Sequence, residues 1–191
     1  MKESCCWQWL TIPNALSLLR LFLAPIIVWA LFSNAWSLAC VLFIVGSITD
    51  FLDGYLARKF HVQTIVGQYL DPVADKTFLL ATLYALTRVP SAAVAVPAWF
   101  IVLVFLREVI IVGGGLVLLG MSMNAKEMRP SLLGKLATVG YMVLILWMFL
   151  CYFRGSFFIN SFFVVFYGVA GISLMSLLHY CWRSSALIMR K

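Results

Sequence analysis

Six long apolar stretches, each closed by a short polar break, organise this chain. They run near 15–33, 36–58, 67–88, 96–120, 132–153 and 157–181. Each approaches or exceeds the roughly 20 residues that a helix needs to cross a bilayer. The breaks are Ser33-Asn34, Arg58 to His61, Arg88 to Ser91, Asn124 to Pro130 and Arg154-Gly155-Ser156. The pattern predicts an all-α integral membrane protein with six transmembrane helices. Ahead of the first helix, Trp7, Trp9, Pro13 and Asn14 suit an N-terminal interfacial segment with the tryptophans at headgroup level. An even number of spans puts both termini on one side. That side carries Lys2, Arg58, Lys59, Lys126, Arg129, Arg183, Arg190 and Lys191, while Arg88 and Arg154 fall on the other. Basic residues gather on the cytoplasmic side of membrane proteins, so both termini are expected in the cytoplasm.

Composition agrees with this pattern. The 191 residues are 64% hydrophobic and 11% charged, whereas a soluble domain is about a quarter charged. This excludes a disordered chain and argues strongly against a water-soluble globule. No polar stretch is long enough for a second domain, so residues 1–191 are expected to form one membrane domain. The net charge of +7 is explained by positive-inside bias, with no nucleic-acid partner. Five cysteines, Cys5, Cys6, Cys40, Cys151 and Cys181, lack a metal-type or disulfide framework and read as free thiols. Acylation of Cys5-Cys6 near the membrane is a minor alternative. The first apolar stretch exceeds signal-peptide length without a clear cleavage site, so it is expected to be retained. Gly113-Gly114-Gly115 is read as a site of close helix packing, because no strand precedes it as a phosphate loop requires.

The acids are scarcer than the bases, and their placement is more informative. Of seven Asp and Glu residues, Asp50, Asp53, Asp71 and Asp75 fall within 26 positions. Asp50 and Asp53 are i,i+3 and Asp71 and Asp75 are i,i+4, so each pair shares a face of its own helix. The two helices are antiparallel neighbours across a short polar loop. Packing those faces together predicts four carboxylates in one cluster near the cytoplasmic interface. Such a cluster cannot stay ionised unaided in a low dielectric. Hard divalent cations, Mg²⁺ or Mn²⁺, prefer oxygen ligands and resolve the conflict, with two ions between the helices. Zinc is disfavoured, because only His61 lies nearby. The competing reading is a structural one, in which Arg58 or Lys76 balances the acids. Gly54, Ala57 and Gly67 remove bulk beside the carboxylates, and Arg58 supplies a planar cation suited to phosphate. Together these residues describe a pyrophosphate or phosphodiester site.

The spacing Asp50-x2-Asp53-Gly54-x2-Ala57-Arg58-x8-Gly67-x3-Asp71-x3-Asp75 resembles the signature of the CDP-alcohol phosphatidyltransferases at every defined position. Thr11 to Arg20, Asp71 to Lys76 and Arg107-Glu108 resemble the phosphatidylglycerophosphate synthase and cardiolipin synthase branches. The resemblance implies transfer of a phosphatidyl group from CDP-diacylglycerol to an alcohol, with release of CMP. It assigns Asp50, Asp53, Asp71 and Asp75 to the metal site and Asp75 to the catalytic base. It places Gly54, Ala57, Arg58 and Gly67 around the cytidine and pyrophosphate. It also implies a homodimer among membrane lipids, in a bacterial inner membrane, with the active site facing the cytoplasm.

The acceptor is less constrained. An sn-glycerol 3-phosphate dianion needs cations, and Arg107, Lys135 and Lys76 are the candidates, ahead of Lys126 and Arg129. Arg107 and Glu108 are adjacent helical positions, which do not face each other, so they need not pair. Glycerol 3-phosphate is the favoured acceptor, and cardiolipin synthesis from phosphatidylglycerol is the alternative. A divalent-cation transporter is the competing reading from another class. It is disfavoured because the acids cluster at one side and the other spans offer few deep ligands.

Overall fold

A computed structural model of the chain describes residues 12–60, 65–120 and 132–188, with side chains placed at 15–50, 73–111, 113, 132–155 and 158–182. Six helices account for nearly all of it: α1 (Ile12–Phe32), α2 (Trp36–Phe60), α3 (Ile65–Arg88), α4 (Ala98–Gly120), α5 (Leu132–Arg154) and α6 (Ser156–Ile188). Their bounds follow the apolar stretches closely, with two informative differences. Pro13 and Asn14 belong to the first turn of α1 instead of a lead-in segment. Proline is tolerated there because its missing N–H would have no intrahelical acceptor. At the other end, α6 continues seven residues past the expected 181. Trp7 and Trp9 lie outside the described residues.

Among the described residues, three helical segments are long and apolar enough to cross a membrane: Ala15–Phe32, Leu132–Arg154 and Phe158–Trp182. Large apolar side chains also cover their outward faces, including Phe22 and Trp29 on α1 and Val164, Tyr167 and Trp182 on α6. A surface this apolar suits lipid as its solvent and identifies a membrane protein. Cys40, Cys151 and Cys181 are free thiols, while Cys5 and Cys6 lie outside the described residues.

The chain forms two compact units, Met1–Ser91 and Ala92–Lys191. In the first, α1 packs against both α2 and α3. Its buried stripe is Ser17, Arg20, Leu23, Ala24, Ile27, Ala30 and Leu31, the three-to-four spacing of one helical face. The hairpin from α1 to α2 closes on Asn34, whose φ is 59°. The Ala35 N–H reaches the Ala30 carbonyl at 2.8 Å and the Asn34 N–H reaches the Leu31 carbonyl at 3.0 Å. This is a Schellman closure, which asparagine tolerates better than other side-chain-bearing residues. The Ser91 hydroxyl donates to Asn34 Oδ1 at 2.5 Å, and Trp36 Nε1–H donates to Ser91 Oγ at 3.2 Å. The end of α3 is thereby tied to the end of α1, so the two run parallel and α2 runs against them. Where α2 meets α3, a Cβ on Gly46 would come within 2.4 Å of the Phe78 ring. That ring stacks on Phe43, with centroids 5.6 Å apart and planes 3° from parallel.

In the second unit, Gly155 (φ 70°) is the single residue between α5 and α6. Trp147 Nε1–H closes this hairpin by donating to the Phe158 carbonyl at 3.1 Å. Phe100 of α4 packs on Phe166 of α6, with ring centroids 4.9 Å apart, and on Tyr141 of α5 at 6.2 Å. The close approach expected at Gly113-Gly114-Gly115 is absent at Gly113, where a Cβ would meet nothing within 4 Å among the described residues. Gly114 and Gly115 side-chain positions lie outside the described set. Close packing occurs instead at Gly140, where a Cβ would sit 3.3 Å from Val169.

Candidate active site

The site in the first unit is built from one residue on each of its three helices. Arg20 sits on the buried stripe of α1, one turn after Ser17, whose Oγ accepts from Nη2 at 3.3 Å. Its Nη1 pairs with Oδ1 of Asp50 on α2 and with Oδ1 of Asp75 on α3. The arginine side chain is 1% exposed, and the two aspartates are 30% and 32% exposed. The positive charge is therefore inside the unit, while both carboxylates extend from it to the surface. An intramembrane charge must find a counter-charge to be tolerated, and this triad satisfies that rule.

The expected convergence of α2 and α3 acids is thus present for Asp50 and Asp75. Asp53, Gly54, Ala57 and Arg58 lie on α2, and Gly67 and Asp71 on α3. Their side chains are outside the described set. Among the described residues no three His, Cys, Asp or Glu side chains form a metal-holding group. Asp50 and Asp75 supply only hard oxygen donors, and they already converge on one positive charge. That donor chemistry fits Mg²⁺ or Mn²⁺ and does not favour a soft metal.

Arg20 is the residue that the motif spacing overlooks. Arg58 and Lys76, closer in sequence, are the balancing cations of the competing structural reading, and the structure adds a partner from α1. The signal was available, because an arginine within an apolar span requires an acidic partner. Lys76 itself is half-buried on α3, one residue after Asp75.

The second unit holds the other tentative residues. Arg107 is buried on α4 and pairs through Nη1 with Glu108. It also donates to the Gly134 carbonyl at 2.7 Å and to Ser176 Oγ at 3.3 Å. Its guanidinium carbon lies 5.4 Å from the Tyr141 ring centroid, and the Tyr141 hydroxyl bonds Ser173 Oγ at 2.5 Å. The pairing of Arg107 with Glu108 departs from the expectation for adjacent residues. Adjacent positions point about 100° apart around the helix, but both side chains are long enough to meet, and burial leaves each charge in need of a partner. Lys135 is exposed at the start of α5, one residue after the carbonyl that Arg107 holds.

The profile of the CDP-alcohol phosphatidyltransferases matches residues 10–180. The chain belongs to the CDP-alcohol phosphatidyltransferase family. It is 32% identical over 142 residues to a Bacillus subtilis (strain 168) protein named CDP-diacylglycerol--glycerol-3-phosphate 3-phosphatidyltransferase, covering 66% of this chain and 70% of that one. An Aquifex aeolicus (strain VF5) protein of the same name is 32% identical over 130 residues, covering 68% and 70%. A Wigglesworthia glossinidia brevipalpis protein, again of that name, is 40% identical over 106 residues, covering 53% and 57%. The phosphatidyltransferase assignment makes this chain a transferase of phospholipid biosynthesis. It also gives Asp50 and Asp75 a chemical context beyond charge balance.

Proposed function

We propose that this phosphatidyltransferase moves a phosphatidyl group from CDP-diacylglycerol to sn-glycerol 3-phosphate, forming phosphatidylglycerophosphate and CMP. The observation that carries this reading is the convergence of Asp50 and Asp75, from two helices, on one point. The names shared by the relatives favour glycerol 3-phosphate over phosphatidylglycerol as acceptor.

In this reading Asp75 takes the proton of the acceptor hydroxyl. The freed oxygen bonds to the phosphorus that carries diacylglycerol, and the pyrophosphate bond to the cytidine phosphate breaks. Such a base must lie within hydrogen-bond reach of the hydroxyl. Asp50, Asp53, Asp71 and Asp75 would hold two divalent cations, whose chemistry is to neutralise the pyrophosphate and the charge on leaving CMP. Gly54, Ala57 and Gly67 leave room for the nucleotide, and Arg58 contacts phosphate. Lys76 and Lys135 offer cationic charge to the acceptor phosphate. Arg107, also a candidate, contributes by fixing the Gly134 carbonyl beside Lys135. The enzyme is read as a homodimer with six spans, both termini and the active site cytoplasmic, in a bacterial inner membrane.

The test uses the purified chain in mixed micelles with CDP-diacylglycerol and Mg²⁺. CMP release should require glycerol 3-phosphate and should vanish in Asp75→Asn. Equal release with phosphatidylglycerol would reassign the acceptor. Full turnover by Asp75→Asn would remove Asp75 as base.

A further inference from the structure

The buried charge in the first unit does more than balance an acid. Arg20 reaches Asp50 and Asp75 through the same nitrogen, so three helices meet at one guanidinium. The arginine guanidinium supplies a single positive charge, against the two of a divalent ion. Two carboxylates drawn to one cation form an arrangement that a divalent ion also satisfies. Both cations would then draw on the same pair of carboxylates.

We propose that Arg20 is the resident counter-cation of this pair. It holds Asp50 and Asp75 together when no metal is bound, and it yields part of that contact when a divalent cation enters. This rests on the divalent-cation reading above and deepens it by naming the group with which the metal competes. Arg20 is thus a positioning residue, acting through the two aspartates. A contact made in the metal-free state and weakened in the metal-bound state lowers metal affinity by the same free energy. Removing Arg20 therefore has two signatures of opposite sense. The metal-free protein loses stability, and metal affinity rises. An arginine with a purely structural role produces the first signature without the second.

The experiment compares the full-length wild type with Arg20→Gln and Arg20→Lys in detergent micelles. Mn²⁺ binding is followed by the electron paramagnetic resonance of the free ion, and thermal unfolding is recorded with and without saturating Mn²⁺. Arg20→Gln is expected to bind Mn²⁺ at least about tenfold more tightly, equivalent to roughly 1.4 kcal/mol. Its unfolding temperature should fall without metal and rise more than that of the wild type when metal is added. Arg20→Lys keeps the charge and should bind within about threefold of the wild type. Unchanged or weaker binding by Arg20→Gln overturns the proposal. An Arg20→Gln chain that stays unfolded at saturating Mn²⁺ also overturns it, because the metal then cannot replace the guanidinium. A wild type that binds no Mn²⁺ removes the metal reading along with this inference. Normal wild-type binding without tightening in the variant removes the inference alone.

Discussion

Arg107 and Glu108 have side chains 1% and 4% exposed, and each is the other's counter-charge within an apolar bundle. Removing one member takes a buried counter-charge from the other, a loss of about 3–5 kcal/mol where a buried pair is broken. Arg107→Leu is therefore expected to destabilise the protein strongly, and Arg107→Leu/Glu108→Leu less than the single change. Thermal unfolding in micelles checks this, and a double variant as unstable as Arg107→Leu would show that charge pairing is not the reason. Tyr141→Phe removes the hydroxyl that bonds Ser173 and should cost about 1 kcal/mol in the same assay. At this scale the sequence was partly legible. Asp50 and Asp75 stood out because acids in apolar helices are rare and their spacing assigns them to helical faces. Their partner did not, because Arg20 lies 30 residues before Asp50 and is brought there only by the packing of α1. The Arg107–Glu108 pair was missed for a different reason. Rules for neighbouring helical residues follow from the direction of the Cα–Cβ bonds, and two long buried side chains can still reach each other.

Helices were the most legible feature, since polar breaks and turn residues mark where an apolar stretch must end. Which face each helix buries was not legible, because the sides turned to lipid and to protein are both apolar. In α6, for example, Phe162 and Phe166 are buried while Phe163 and Tyr167 are exposed. Hydropathy does not separate those two pairs. Small residues at contacts are more informative, yet only the fold shows that, among the described residues, Gly46 and not Gly113 is tight. Gly46→Leu would drive a side chain into the Phe78 ring, which is buried and stacked on Phe43. Overpacking of this kind costs about 1–3 kcal/mol, so the variant should unfold at a lower temperature. Gly113→Leu, whose Cβ would meet nothing within 4 Å among the described residues, should change the unfolding temperature far less. The turn between α1 and α2 offers a second test. Asn34→Val places a β-branched residue at φ 59° and should destabilise by about 1–2 kcal/mol more than Asn34→Gly. Equal losses from the two would mean that the Asn34–Ser91 bond, and not the backbone conformation, matters at this turn.

Length sets the geometry of the whole molecule against the bilayer. At about 1.5 Å per residue, the 33 residues of α6 span about 50 Å, well beyond the roughly 30 Å hydrocarbon core. The helix can therefore cross and still carry Arg183 clear of the hydrocarbon. Asp50 lies ten residues before the end of α2 and Asp75 ten residues after the start of α3, each about 15 Å along its helix from the 61–64 connection. With α2 and α3 read as spans about 36–38 Å long, only a few ångströms of that distance fall outside the roughly 30 Å hydrocarbon core. The carboxylates then lie nearer the headgroup layer at the 61–64 connection than the opposite one. Which headgroup layer this is depends on orientation, and the orientation proposed from the eight-to-two division of Lys and Arg would make it the cytoplasmic one. Single cysteines in a cysteine-free background test the assignment. In intact cells a membrane-impermeant maleimide should label Ser33→Cys, on the turn between α1 and α2. It should reach His61→Cys and Lys126→Cys only after lysis. The opposite labelling pattern would put the carboxylates outside the cell, away from a supply of glycerol 3-phosphate. It would remove the proposed acceptor together with the orientation, because the two depend on the same side of the membrane.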